Sequence, residues 1–166
     1  MSAELKELML RTPPLTLAVA ESLTAGNLQA RVAAVSGASN FFLGGITAYT
    51  LEQKVKHLGV DRAAAAEVNC VSAEIAGQMA RGACALFGAD VGVATTGYAE
   101  PAPAVGVDVP FAWWAVAWRE PRARRWQVRQ GRVACPGASR VQAQAIVADA
   151  ALAELIVVLR AIRSER

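Results

Sequence analysis

The chain has 166 residues, of which 54% are hydrophobic and 19% charged; this fits one folded domain with a sizeable core and excludes a disordered chain. Its 17 Lys and Arg against 14 Asp and Glu leave a formal charge of +3, too small an excess to mark a nucleic-acid binder by itself. Three cysteines, Cys70, Cys84 and Cys135, and one histidine, His57, support neither a disulfide framework nor a structural zinc site, and free buried thiols in a reducing compartment are expected.

Residues 1–11 set Leu5, Leu8, Met9 and Leu10 among Glu4, Lys6, Glu7 and Arg11. That pattern predicts a short amphipathic helix without the basic start and apolar run of a signal peptide. No apolar stretch approaches membrane-spanning length, so a cytoplasmic location and no membrane partner are expected. After Pro13-Pro14, residues 15–20 read as a buried strand. Residues 21–26 then lead into helical spacing over 27–35, with Thr24 as the expected cap. Residues 41–50, rich in aromatic and β-branched side chains, should contain the second strand. A helix from Leu51 carries Glu52, Lys54 and Lys56 and stops at Gly59. Ser72 is the expected N-cap of a helix that runs to Gly88, with Glu74 in its first turn and Ile75, Met79, Ala83 and Leu86 on one face.

Residues 91–97 read as a third buried strand, followed by a Pro- and Ala-rich loop to Pro110. Phe111–Arg119 and Trp126–Ala134 are expected to pair as an antiparallel hairpin across an arginine-bearing turn at Pro121. A long helix over 139–163, apolar at Ile146, Ala150, Ala153 and Val157, closes the chain. The alanine richness tracks the helices. Strands interleaved with helices imply an α/β fold, a three-layer α/β/α sandwich with a mixed, mostly parallel sheet, with residues 1–166 as one domain.

Six arginines fall in the hairpin: Arg119, Arg122, Arg124, Arg125, Arg129 and Arg132. They read as the solvated face of a strand pair. Nucleic-acid binding is the lesser reading, since no nucleic-acid motif accompanies them, and it would collapse steeply with salt. Of the four tryptophans, Trp113, Trp114, Trp118 and Trp126, the adjacent pair cannot share a face of a regular strand. One should meet a covering helix, and the other a second layer or a partner subunit.

Three strand ends carry residues suited to chemistry. Ligands of such sheets bind beyond the carboxyl ends of the strands, and helix N-termini offer N–H groups to anions. Glu21-Ser22 follows the first strand and precedes a glycine-bearing turn. Tyr49-Thr50 ends the second, with Lys54 one helical turn on. Thr95-Thr96-Gly97 ends the third, where hydroxyls and a glycine can approach a ligand backbone-first. A desolvated lysine has a lowered pKa and can deprotonate a serine without any histidine. Each residue alone also has an ordinary reading: a turn-satisfying serine, a solvated helix lysine, a strand-to-loop transition. Their common address is what points to a site.

These residues resemble the CinA C-terminal domain family, the nicotinamide-nucleotide amidases, over about residues 5–159. Ala20-Glu-Ser-Leu-Thr-Ala-Gly26 is similar to that family's A-E-S-C-T-G-G. Gly45-Ile-Thr-Ala-Tyr-Thr-Leu-Glu-Gln-Lys54 with Leu58-Gly-Val60 is similar to its G-x-x-x-Y-[ST]-N-x-x-K and L-G-V. Val71-Ser-Ala-Glu74, Met79-Ala-Arg-Gly-Ala83 and Gly88-Ala-Asp90 follow in order at the right spacing.

The resemblance implies deamidation of nicotinamide mononucleotide, or a related pyridine nucleotide, to the nicotinate form with release of ammonia. It implies Ser22 as nucleophile, Lys54 as general base and Tyr49 as a proton relay between them. Glu21, Thr24, Gly26, Thr50, Thr96, Gly97 and Arg140 would bind substrate, the helix N-terminus near Thr24 and Gly26 offering N–H groups to an oxyanion or anion. It implies no metal or organic cofactor, a small-molecule nucleotide as substrate, and self-association as a homo-oligomer.

The chain departs from the family in four places. The loop S-G-I-A-G-P-x-G-G appears as Thr96-Gly-Tyr-Ala-Glu-Pro101, with Glu100 at a glycine position and the later glycine pair gone. Of the R-x-x-[VI]-R pattern, Arg140 is kept and Gln144 stands at the second arginine. Leu51 replaces asparagine, and Ala25 replaces the first glycine after the serine. The catalytic trio of the resemblance is intact while its surroundings differ. Two readings follow: an active amidase, or a catalytically degenerate paralogue with a binding or assembly role.

Overall fold

The structure is a computed structural model and describes residues 2–119 and 125–164. Its helices are α1 (Ser2–Leu10), α2 (Asn27–Ala33), α3 (Leu51–Leu58), α4 (Arg62–Glu67), α5 (Ala73–Phe87) and α6 (Arg140–Ser164). Its strands are β1 (Leu17–Glu21), β2 (Phe42–Thr47), β3 (Val91–Tyr98), β4 (Phe111–Arg119) and β5 (Trp126–Ala134). The sheet order is β2-β1-β3-β4-β5. β1 is parallel to both β2 and β3, whereas β4 is antiparallel to β3 and β5. Only β4 opposes the common direction, so the sheet is mixed, as expected. The predicted hairpin strands agree residue for residue with β4 and β5; their turn at Pro121, with Arg122 and Arg124, lies outside the described residues.

Alternation along the strands builds two unlike faces. Leu17, Val19, Val91, Val93, Trp114 and Val116 point into the core shared with α1, α2 and α6. Ala18, Ala20, Ala94, Ala115 and Ala117 point the other way, beneath α5. The alanine-lined face lets α5 lie close, and α5 answers with Ala76, Gly77, Ala80 and Ala83. Alanine therefore lines the sheet as well as the helices, which corrects the sequence reading. The opposite face takes the bulk, where each fully buried Leu, Ile or Val contributes roughly 1.5–3 kcal/mol.

Two helix faces differ from expectation. In α6 the buried side is Val147, Ala151, Leu155 and Leu159, whereas Ile146, Ala153 and Val157 are exposed and Ala150 is half-buried. Both stripes are apolar at helical spacing. Asp149 and Arg160 decide between them, because they share the side of Ala153 and Val157 and reach out to Arg31 and Glu4. In α5, Leu86 is exposed, and Phe87 instead lies over Gly44 of β2. Helix α4 was not anticipated; Asp61 caps it through the Ala64 N–H.

The tryptophan pair splits as strand geometry requires. Trp114 joins the α6-side core and Trp113 packs against the α5-side core, so Trp113 meets a second layer of the same chain. Arg119 lies over Trp126 and Arg132 over Phe111, while Arg125 and Arg129 are exposed, consistent with a solvated strand face. Among the described residues no helix is long and apolar enough to cross a membrane.

Candidate active site

The chain passes from β1 to β2 on one side and on to β3 on the other side of β1. The crevice beyond the carboxyl ends of β1 and β3 is thus a topological switch point, the usual ligand position in such sheets. A cleft of about 380 Å³ opens there, lined by Ser22, Tyr49, Lys54, Cys70, Thr96 and Arg140 among others.

Ser22 is the first residue after β1, and its N–H donates to the Thr95 carbonyl at 3.1 Å. Lys54 lies in the first turn of α3, which Thr50 caps by accepting from the Gln53 N–H at 3.4 Å. On α3 the buried residues are Lys54 and Leu58, four apart, so the lysine occupies the inward stripe where an apolar residue would ordinarily sit. It is only 2% exposed, not solvated as its residue type alone suggests. Its Nζ donates to Ser22 Oγ at 3.0 Å and to the Tyr49 carbonyl at 2.9 Å. Burial pushes the Lys54 amine below its ordinary value of 10.5, with the nearby Cys70 acting weakly in the opposite sense. A hydroxyl beside a low-pKa amine, both sheltered from water, is an arrangement suited to nucleophilic catalysis.

Tyr49 takes a different place from the one the resemblance implies. Its backbone carbonyl anchors Lys54, while its half-exposed side chain turns outward and its hydroxyl accepts from Arg140 Nη2 at 2.7 Å. The phenol does not stand between serine and lysine, which already touch; what Tyr49 gives the pair in this structure is its main-chain carbonyl, an acceptor for Lys54. Arg140 is fixed at the start of α6 by a capping box: Ser139 and Gln142 each accept from the other's backbone N–H. Its Nη1 donates to Glu100 Oε1 at 2.7 Å. Gln144, half-buried one turn further along α6, is not part of the cleft wall.

The turn after Ser22 also corrects the sequence reading. Glu21 is fully buried and accepts from three backbone N–H groups at the start of α2: Gly26 at 3.1 Å, Leu28 at 3.0 Å and Gln29 at 2.8 Å. Glu21 is therefore the cap of α2 and satisfies its dipole. It is not placed to bind substrate, and Gly26 has no N–H left to offer an anion. Thr24 does not cap; its hydroxyl is bonded to the Thr95 hydroxyl at 2.7 Å, and its carbonyl accepts from Asn27. The N–H groups of Leu23 and Thr24, directly after the serine, have no acceptor among the described residues.

Ala25 and Gly26 both have positive φ, 50° and 100°, which bends the chain so that the α2 N–H groups meet Glu21. An alanine in this region carries a strain that glycine avoids. Ala25→Gly is accordingly expected to stabilise the fold by about 1 kcal/mol, read as a raised urea midpoint with unchanged slope.

At the third strand end, the Thr96 hydroxyl donates to the Cys70 carbonyl at 2.7 Å. A Cβ on Gly97 would stand 2.3 Å from the Phe111 carbonyl oxygen, so this glycine answers to the close approach of β4, not to a ligand. Residues that sequence reasoning missed are Asn69, Cys70 and Tyr98. Asn69 and Cys70 sit in a left-handed turn after α4, and Asn69 Nδ2 donates to the Tyr98 hydroxyl at 3.2 Å. No local pattern announces them, because the turn depends on a helix too short to show periodicity.

Cys70 is half-buried in the cleft wall, against the expectation that all three thiols are buried. Burial, then Asp90, pushes the Cys84 thiol up to about 12, and burial also raises Cys135; neither is poised as a nucleophile. Among the described residues no group of three or more His, Cys, Asp or Glu is gathered to hold a metal ion. His57, further along α3, does not line the cleft.

Residues 2–159 match the CinA C-terminal domain family. A CinA-like protein of a Picosynechococcus species is 43% identical over 114 residues, 69% of this chain and 27% of that protein. A CinA-like protein of Geobacter sulfurreducens is 44% identical over 93 residues, 56% of this chain and 22% of its own length. The chain thus spans about a quarter of the length of these curated relatives. Among solved structures, a competence-damaged protein (CinA) superfamily protein from Klebsiella pneumoniae superposes with a TM-score of 0.81 at 26% identity, covering 96% of this chain and 94% of that one.

Proposed function

Because the chain belongs to the CinA C-terminal domain family, we propose that its cleft hydrolyses a primary carboxamide, of the nicotinamide mononucleotide or related pyridine kind, by serine–lysine catalysis. The observation that carries this reading is the 3.0 Å contact between Lys54 Nζ and Ser22 Oγ inside a cleft. On losing its proton, the amine keeps a donor on the Tyr49 carbonyl and turns its lone pair to the serine hydroxyl. Ser22 Oγ then attacks the carboxamide carbon as its proton passes to Lys54. Charge gathers on the carbonyl oxygen, for which the Leu23 and Thr24 N–H groups are the available donors. The tetrahedral species collapses when Lys54 returns the proton to the leaving nitrogen, releasing ammonia and leaving an ester on Ser22. Water, deprotonated by Lys54, cleaves that ester to the carboxylic acid and restores the hydroxyl.

This mechanism needs the neutral amine, whose population grows as pH rises through the lowered Lys54 value. Ammonia release from nicotinamide derivatives by the native chain should therefore rise with pH along a limb centred below 10.5. A limb centred at or above 10.5, or no ammonia from any such carboxamide, would overturn the assignment.

A further inference from the structure

Two cations line the cleft among the described residues, Lys54 and Arg140, and each is already engaged by the protein. Lys54 serves Ser22 and the Tyr49 carbonyl. Arg140 is engaged at the opposite side of Tyr49, with one terminal nitrogen on the Tyr49 hydroxyl and the other on the Glu100 carboxylate. A guanidinium offers a planar fork to a carboxylate or a phosphate, but the same edge cannot serve both. Here the chain supplies the anion itself.

Resting on the carboxamide-hydrolase reading, we propose that the amide accepted by this cleft carries no phosphate: a dephosphorylated, nucleoside-type carboxamide and not the nucleotide. A phosphate on Arg140 either displaces Glu100 or shares the guanidinium with it, and in both cases it stands close to that carboxylate. The pair is partly exposed, so separating it is cheap. The lasting penalty is the repulsion between two anions, a device that rejects one ligand without added attraction for the other. A dephosphorylated pyridinium nucleoside is instead a cation, which Glu100 favours. Its sugar hydroxyls can donate to Glu100 Oε2, an oxygen with no donor among the described residues. Glu100 is thus a specificity residue at the rim, acting on the part of the substrate remote from the amide.

Calorimetric titration of the Ser22→Ala protein with nicotinamide riboside and with nicotinamide mononucleotide, near neutral pH and low salt, tests the idea without turnover. The riboside is expected to bind about tenfold tighter. Adding Glu100→Gln should shift the ratio about tenfold towards the mononucleotide by removing the opposing charge. The proposal is overturned if the mononucleotide binds as tightly as the riboside while Glu100 is present, if Glu100→Gln leaves the ratio unchanged, or if neither binds. Ammonia assays on the native chain separate the two readings. Preferential riboside binding without ammonia release upholds the ligand class and removes the hydrolase, whereas faster turnover of the mononucleotide upholds the hydrolase and removes the ligand class.

Discussion

Ser22→Ala is expected to lower ammonia release by a factor on the order of 10⁴ or more, because the residual rate is left to binding and the free N–H groups alone. The exchange removes one oxygen from a residue held by its backbone, through the Ser22 N–H on Thr95 and the Ala25 N–H on the Ser22 carbonyl. The fold should be indifferent to it. Lys54→Met fills much the same space and removes the base, for a loss of about 10²–10⁴-fold, and the double variant should be hardly worse than Ser22→Ala, since the two groups act as a unit.

Stability should move the other way. The folded value of Lys54 lies below 10.5, so between that value and 10.5 the unfolded chain holds more protons than the folded one. Stability then rises with pH across this window, and below it the full penalty of burying a charged amine persists. Lys54→Met should abolish that slope and leave the neutral-pH unfolding midpoint no lower than in the native chain. A variant that loses both activity and stability would mark Lys54 as a structural residue. If the native chain were as inert as Ser22→Ala towards several pyridine carboxamides, the degenerate-paralogue reading would take its place.

Much of this site was readable because its signals lie at strand ends. Short apolar runs located β1 and β3, and two strand-like segments flanking the turn at Pro121 located β4 and β5; a strand end dictates where its next residue projects. That logic brought Ser22 and Lys54 to one crevice, where they touch. What it missed were competitions that only packing decides. Glu21, Thr24 and Gly26 looked like ligand groups because a polar turn before a helix resembles an anion site, yet the carboxylate from the last strand position had already taken the N–H groups. Alternation along β1 contained the clue: Leu17, Val19 and Glu21 share the face turned towards α2 and α6. The α6 stripe failed for a related reason, since two apolar faces at one period cannot be ranked without the partners of Asp149 and Arg160. Asn69, Cys70 and Tyr98 lay beyond sequence logic altogether, because their meeting requires the turn after α4 to fall against the end of β3.

Glu21→Ala should be the most destabilising single exchange near the site, by about 3–5 kcal/mol, or roughly 10 °C in unfolding midpoint. The side chain is fully buried and its two oxygens satisfy three N–H groups that α2 cannot satisfy itself. The Gly26 N-cap has no side chain to take over, and a single water entering the space could accept from two of the three donors at most. Glu21→Gln keeps one acceptor oxygen but turns an amide NH₂ towards an N–H, so it should recover only part of the loss. The comparison also separates the two roles open to this residue. A substrate contact predicts a raised KM with an unchanged midpoint. A cap predicts a lowered midpoint and, because Glu21 adjoins Ser22 in the chain, a fall in kcat as the serine loses its fixed distance from Lys54. Unfolding curves that superpose on those of the native chain would show that α2 is held without Glu21, and would return this carboxylate to the list of ligand groups.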